Sequence, residues 1–304
     1  MDASHIQSLL ISNESLFNHI YVVEQKFDII PTQKHYGMAI DFIDIQESRT
    51  NFIEELVHTI IDWVYSRSRQ KTITDALQDE GKSSGVISSV LVSRAHKKFR
   101  RSDSGELLHG QFGELLLANC IQKFFKAVPI LRKMRITTST EHERFGADAI
   151  HYRIDNGKHI IILGEAKSYT SDYQFNTAFK KSIESILDTY KKHQDELKLY
   201  IHEDFLEPEL ENVATKYLNN KLKDVEIHLA SVISYNEKTK RQGASCEEIR
   251  ASILRTIRSR FEKFDKSLID IKNNPILDRI TYIVFPVWDL EQVIELFAKE
   301  IGYK

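Results

Sequence analysis

The sequence predicts an α/β protein in which a central mixed β-sheet is flanked by helices and preceded by an N-terminal α+β extension. Three observations predict it. The stretch 145–167, FGADAIHYRIDNGKHIIILGEAK, has apolar runs on both sides of Asn156-Gly157, a dipeptide that accepts positive φ at both central positions of a type I′ turn and so closes a two-residue hairpin. The second run, HIIILG, is apolar at every alternation, which suits a strand covered on both faces. Further strand-like runs at 225–235 (VEIHLASVISY) and 279–288 (RITYIVFPVW) are interleaved with long stretches of helical periodicity.

In chain order, residues 20–23 and 38–45 (MAIDFIDI) read as short strands, separated by Pro31 and Gly37. A helix follows over 51–65, with Phe52, Ile53, Leu56, Val57, Ile60, Ile61 and Val64 at helical spacing and Asn51 with Glu54 as a capping box; Trp63 reads as a packing residue. Residues 72–89 are polar and read as a loop or boundary, and the EGKSSGV stretch inside them misses the spacing of a phosphate loop. A long helix is expected from Asp103, capped with Glu106, to about Lys126. Gly110 and Gly113 within it each cost about 1 kcal/mol relative to Ala, which points to close approach of another backbone or a ligand. A strand over 130–137 and a polar turn over 138–144 lead into the hairpin. After Lys167 come a loop at 168–172, a helix over about 175–190, a mainly helical stretch over 199–222 in which Pro208 suits a helix start, the strand at 225–235, a loop at Gly243, a helix over 246–271, the strand at 279–288 and a helix over 290–301.

The 304 residues, 41% of them hydrophobic, suffice for one large domain or two small ones, and only 11 Gly and 5 Pro argue against disorder. Against 42 Lys and Arg stand 44 Asp and Glu, so any basis for binding nucleic acid must be local. The most basic stretch is LVSRAHKKFRR at 91–101, where Lys97, Lys98, Arg100 and Arg101 are candidate phosphate contacts and equally suit a solvated helix face. Lys180 and Lys181 rank below them. Cys120 and Cys246 offer neither a disulfide framework nor a zinc cluster. The opening MDASHIQSLL lacks the charged and apolar regions of a signal peptide, and no apolar run reaches membrane-spanning length, so a cytoplasmic protein is expected.

The turn fixes a register. With Asn156 and Gly157 as the loop, Asp155 faces Lys158, and counting back places Asp148 opposite Glu165 and Gly146 opposite Lys167. Paired residues on such a ladder hold their Cβ atoms roughly 4.5 to 5.5 Å apart, so two ionised carboxylates there repel unless a cation lies between them. Glu165 and Lys167 share this face, whereas His151 points to the other. Mg²⁺ or Mn²⁺ takes oxygen ligands and needs few carboxylates when substrate phosphate and waters complete its shell. The trio therefore points to metal-assisted phosphodiester hydrolysis, with Asp148 and Glu165 as ligands, the Ala166 carbonyl completing the shell, and Lys167 orienting water or stabilising the transition state. Glu114 is a further candidate ligand if its helix crosses the open end of the hairpin. Glu-x-Lys alone is weak, since Glu24/Lys26, Glu80/Lys82 and Glu196/Lys198 match it too; Glu165/Lys167 alone follows a hairpin that delivers an Asp.

Gly113-Glu114 on a helix, then Gly-x-Asp148-x-Ile-His, a hairpin and Gly-Glu165-x-Lys167 resemble the PD-(D/E)xK nuclease superfamily, with Ala147 where the nominal motif has Pro. The run GELLLANC…GADAIHY…ILGEAKSY is more specifically similar to the HamA family, the nuclease subunits of Hachiman antiphage systems, and to AbpA relatives, most clearly over 94–173. This resemblance implies a metal-dependent DNA nuclease with Glu114, Asp148, Glu165 and Lys167 at its site, residues 1–90 as an N-terminal extension to a nuclease-like domain at 91–304, and a superfamily 2 helicase subunit, HamB-like, as partner in bacterial defence. A reading from another class is a subunit of the same fold, weak or inactive in catalysis, that binds DNA and regulates the partner ATPase.

Overall fold

A computed structural model of the chain describes residues 3–11, 13–97, 106–131, 147–172, 175–200 and 208–303. Two short helices, α1 (Ala3–Ser8) and α2 (Glu14–Phe17), precede β1 (Ile20–Lys26) and β2 (Lys34–Ile40); a small hairpin of β3 (Phe42–Ile43) and β4 (Gln46–Glu47) leads into helices α3 (Arg49–His58), α4 (Ile60–Val64), α5 (Arg67–Asp79) and α6 (Ser84–His96). Then come α7 (Glu106–Phe125), β5 (Val128–Leu131), β6 (Ala149–Asp155), β7 (Lys158–Asp172), α8 (Phe175–Tyr200), α9 (Pro208–Leu218), β8 (Val225–Asn236), α10 (Cys246–Lys263), β9 (Ile280–Val287) and α11 (Leu290–Glu300).

The seven-stranded sheet runs in the order β1-β2-β9-β8-β7-β6-β5. Strands β2, β9, β8 and β7 are parallel to one another, while β1 and β6 are antiparallel to their neighbours. The N-terminal segment thus supplies one edge of the sheet. Both faces are covered, as the run HIIILG predicts. Ile161 and Leu163 join Phe179 and Ile186 of α8 and Ile253, Ile257 and Phe261 of α10, whereas Ile160 and Ile162 join Leu116 and Ile121 of α7, Leu56 of α3 and Phe297 of α11.

Several expectations are corrected. Residues 72–89 are helical, in α5 and α6 around a turn at Gly81 (φ 76°). The Ser66 hydroxyl caps α5 by accepting the Arg69 N–H, and each helix buries only a narrow seam, at Leu77 and at Ile87 and Ala95, so hydrophobic periodicity is faint. Asn51 and Glu54 form no capping box: α3 begins one residue after Ser48, whose hydroxyl meets His19 Nδ1 at 3.0 Å. Residues 168–172 continue β7, because the 12 residues of β8 pair along it as far as Asp172↔Asn236. Helix α8 extends to Tyr200, and α10 ends at Lys263 rather than 271. The expected strand beyond Leu131, the polar turn at 138–144, Gly146 and the Asp103 cap lie outside the described residues. Among the described residues no helix is long and apolar enough to cross a membrane.

Candidate active site

The hairpin forms in the register its turn dictates. Asn156 and Gly157 have φ of 49° and 80°, and pairing runs from Asp155↔Lys158 to Ala149↔Gly164. Asp148, one residue before this ladder, therefore lies beside Glu165. Its Oδ2 accepts the Ala166 backbone N–H at 2.9 Å. The N–H and C=O of one residue in an extended strand point to the same side, so the Ala166 carbonyl faces the Asp148 side as well.

Glu165 and Lys167 emerge on the face of β7 that α8 covers. Glu165 is only 3% exposed. Its Oε1 accepts from Lys167 Nζ at 2.7 Å and from Ser185 Oγ at 2.6 Å, and its Oε2 from Thr189 Oγ1 at 3.3 Å. Farther along α8, Glu196 accepts the Ala147 N–H at 2.7 Å, so one helix fixes both the Glu and the chain leading into the Asp. The sequence expectations do not include Ser185, Thr189 or Glu196. For the two hydroxyl residues the sequence carries a signal: Ser182, Ser185 and Thr189 lie at helical spacing among the buried Ile183 and Ile186, a polar stripe on an inward face that requires partners across it.

Burial, followed by the negative charge of Asp148, pushes the Glu165 carboxyl up to about 7, against the opposing pull of Lys167 and Ser185. For Lys167, burial disfavours the ammonium, but Glu165 and Asp148 outweigh it and the net shift is upward. The buried carboxylate is strained electrostatically even with a lysine bonded to it.

Two glycines set the opposite face. A Cβ on Gly164 would meet Ile121 Cδ1 at 2.8 Å and Leu117 Cδ2 at 3.0 Å; one on Gly113 would meet Ser168 Oγ at 2.9 Å and Ala166 Cβ at 3.3 Å. Helix α7 thus lies tightly on β7, as the glycine at 113 predicted, while a Cβ on Gly110 would meet nothing within 4 Å. This placement puts α7, and Glu114 on it, on the face of β7 away from Glu165 and Lys167. Among the described residues no three His, Cys, Asp or Glu side chains gather where they could hold a metal. His151 sits on the α7 face, opposite Ile162.

Of the candidate phosphate contacts, Lys97 is exposed just after α6, and Lys98, Arg100 and Arg101 lie outside the described residues. Lys180 and Lys181 are exposed on α8 and both ion-pair with Glu184, at 3.9 and 3.3 Å.

The donors at the hairpin fit a small hard cation. Asp148 and Glu165 offer carboxylate oxygens on one face, the Ala166 carbonyl lies on the Asp148 side, and the like-charge repulsion that raises the Glu165 carboxyl is what a cation would relieve. Mg²⁺ commonly binds through one or two carboxylates plus substrate phosphate and waters, so the missing triad is no obstacle. A family model described as HamA matches residues 14–301, and the chain belongs to that family. No curated protein matches it. Membership fits a role in antiphage defence.

Proposed function

We propose that this HamA-family chain is a Mg²⁺- or Mn²⁺-dependent deoxyribonuclease with a PD-(D/E)xK-type site, the effector subunit of a defence pair completed by a superfamily 2 helicase. The observation that carries the reading is the convergence of Asp148, Glu165 and Lys167 at the open end of one hairpin, with Lys167 Nζ 2.7 Å from Glu165.

Asp148 and Glu165 would hold the cation, with the Ala166 carbonyl as a third oxygen donor. Once bound, the metal supplies Lewis acidity toward the scissile phosphate and lowers the pKa of water. Ser185 and Thr189 fix the Glu165 carboxylate so that its oxygens are presented without rotamer loss. The Ala166 N–H does the same for Asp148. Lys167, with its side chain 29% exposed, keeps its proton at neutral pH and can turn its ammonium from Glu165 to the charge that develops on the phosphate oxygens. A near-neutral chain fits an enzyme directed to DNA by a partner.

The closure of Glu165, 3% exposed and bonded to three side chains, favours a second reading in which the site is latent and the subunit acts by binding DNA and regulating the helicase. Divalent-metal binding separates the two. Titration of Mn²⁺ followed by electron paramagnetic resonance should show one site per chain that is lost in Asp148→Asn/Glu165→Gln. A wild-type protein that leaves Mn²⁺ free at millimolar concentration would reject the catalytic reading.

A further inference from the structure

A recess of about 320 Å³ opens at the carboxyl end of β8, between the loop after it and the outward side of α10. Lys240 of the loop and Arg255 and Lys263 of α10 line it, with the hydroxyls of Thr256 and Ser259. All three cations are exposed, and among the described residues none has an acidic partner.

The recess is built on a fixed floor. The Glu237 side chain is wholly buried, accepts from Arg260 Nε and Nη2 at 2.9 and 2.6 Å, and also accepts the Lys238 and Thr239 N–H groups at 2.9 and 2.8 Å. That carboxylate neutralises Arg260 and ties down the turn that carries Lys240. The charge left over is the three rim cations. Arg255, Ser259 and Lys263 recur every four residues, a stripe of about 12 Å along α10, comparable with three to four steps of about 3.4 Å along a nucleic-acid strand.

Its position relates it to the carboxylates. Helix α10 packs on the same sheet face as α8 and Glu165, and Ile233, the partner of Lys167 in the ladder, lies three residues before the end of β8, about 10 Å along the strand. Carboxyl ends of parallel strands are where open α/β sheets bind ligands.

We propose that Lys240, Arg255 and Lys263 grip the phosphate backbone of a nucleic acid and lead it along α10 toward the Asp148–Glu165 end of the hairpin. The direction of travel rests on the nuclease reading; the binding itself does not. The test is fluorescence anisotropy of labelled duplex and single-stranded DNA with the full chain at 50 to 200 mM salt, comparing wild type, Lys240→Gln/Arg255→Gln/Lys263→Gln, and Glu165→Ala/Lys167→Ala, with circular dichroism as the check of folding. Removing three phosphate contacts should lower the slope of log affinity against log salt by about 2 to 3 in the triple variant, while the double variant, which gives up at most the one phosphate contact of Lys167, lowers it by about 1 or less. A triple variant that binds with an unchanged slope, or a wild-type chain that holds neither DNA form, overturns the inference. A chain that cuts no DNA even with metal and the proposed partner present, yet loses binding in the triple variant, leaves the recess standing and removes the nuclease reading; cutting with an unchanged slope does the reverse.

Discussion

Replacing Glu165 by Gln should change how stability depends on pH, and the size of the change can be worked out from the site. In the folded chain burial and Asp148 hold the Glu165 carboxyl at about 7, against 4.5 when unperturbed. Between those values the folded state binds more protons than the unfolded one, so stability falls as pH rises. The contribution is complete below pH 4.5 and lost above pH 7. At about 1.4 kcal/mol for each pH unit of separation, it amounts to about 3 kcal/mol. Glutamine occupies the same volume and keeps an acceptor for Ser185, but does not titrate. Urea unfolding in EDTA at pH 4.5, 6, 7 and 8 should therefore show wild type losing about 3 kcal/mol relative to Glu165→Gln across the series. Stability curves that run parallel would refute the claim that Glu165 is a strained, metal-ready carboxylate.

Other perturbations follow from named contacts. Ser185→Ala removes a hydrogen bond to the ionised form of Glu165 and should shift the pH midpoint of that stability change upward, read from the same urea series; an unmoved midpoint would show the bond to be inconsequential. Gly164→Ala drives a methyl to within 2.8 Å of Ile121 and 3.0 Å of Leu117, so overpacking should cost about 1–3 kcal/mol by chemical denaturation; a neutral result would mean that α7 sits less tightly on β7. Arg260→Ala leaves the buried Glu237 carboxylate without its cation and should cost about 3 kcal/mol, with Arg260→Ala/Glu237→Gln recovering part of it in a double-mutant cycle.

What could be read in the sequence was what local chemistry fixes. Asn156-Gly157 sets a turn, the turn sets a register, and alternation along two strands then brings Asp148 to Glu165 and sends His151 to the other face. The fully apolar run before Glu165 disclosed that both faces are covered. The polar stripe of α8 shows that its hydroxyls need partners, but which partners they take is decided by distant elements. Ser185 and Thr189 reach Glu165 across 20 and 24 residues, and nothing near Glu114 in sequence tells which face of β7 its helix will cover. Helices α5 and α6 leave little trace in the sequence because a surface helix that buries one or two residues has little periodicity. The basic recess joins a loop to a helix and takes shape only once Glu237 and Arg260 meet.

The most direct measurement is cleavage. Purified chain would be incubated with supercoiled and linear DNA in Mg²⁺, Mn²⁺ or EDTA, alone and with the proposed helicase partner, beside Glu165→Ala/Lys167→Ala. The account predicts cutting that needs the metal and disappears in the double variant while its circular dichroism stays that of wild type. Cutting retained by the folded double variant, or no cutting by wild type with metal and partner both present, would contradict it.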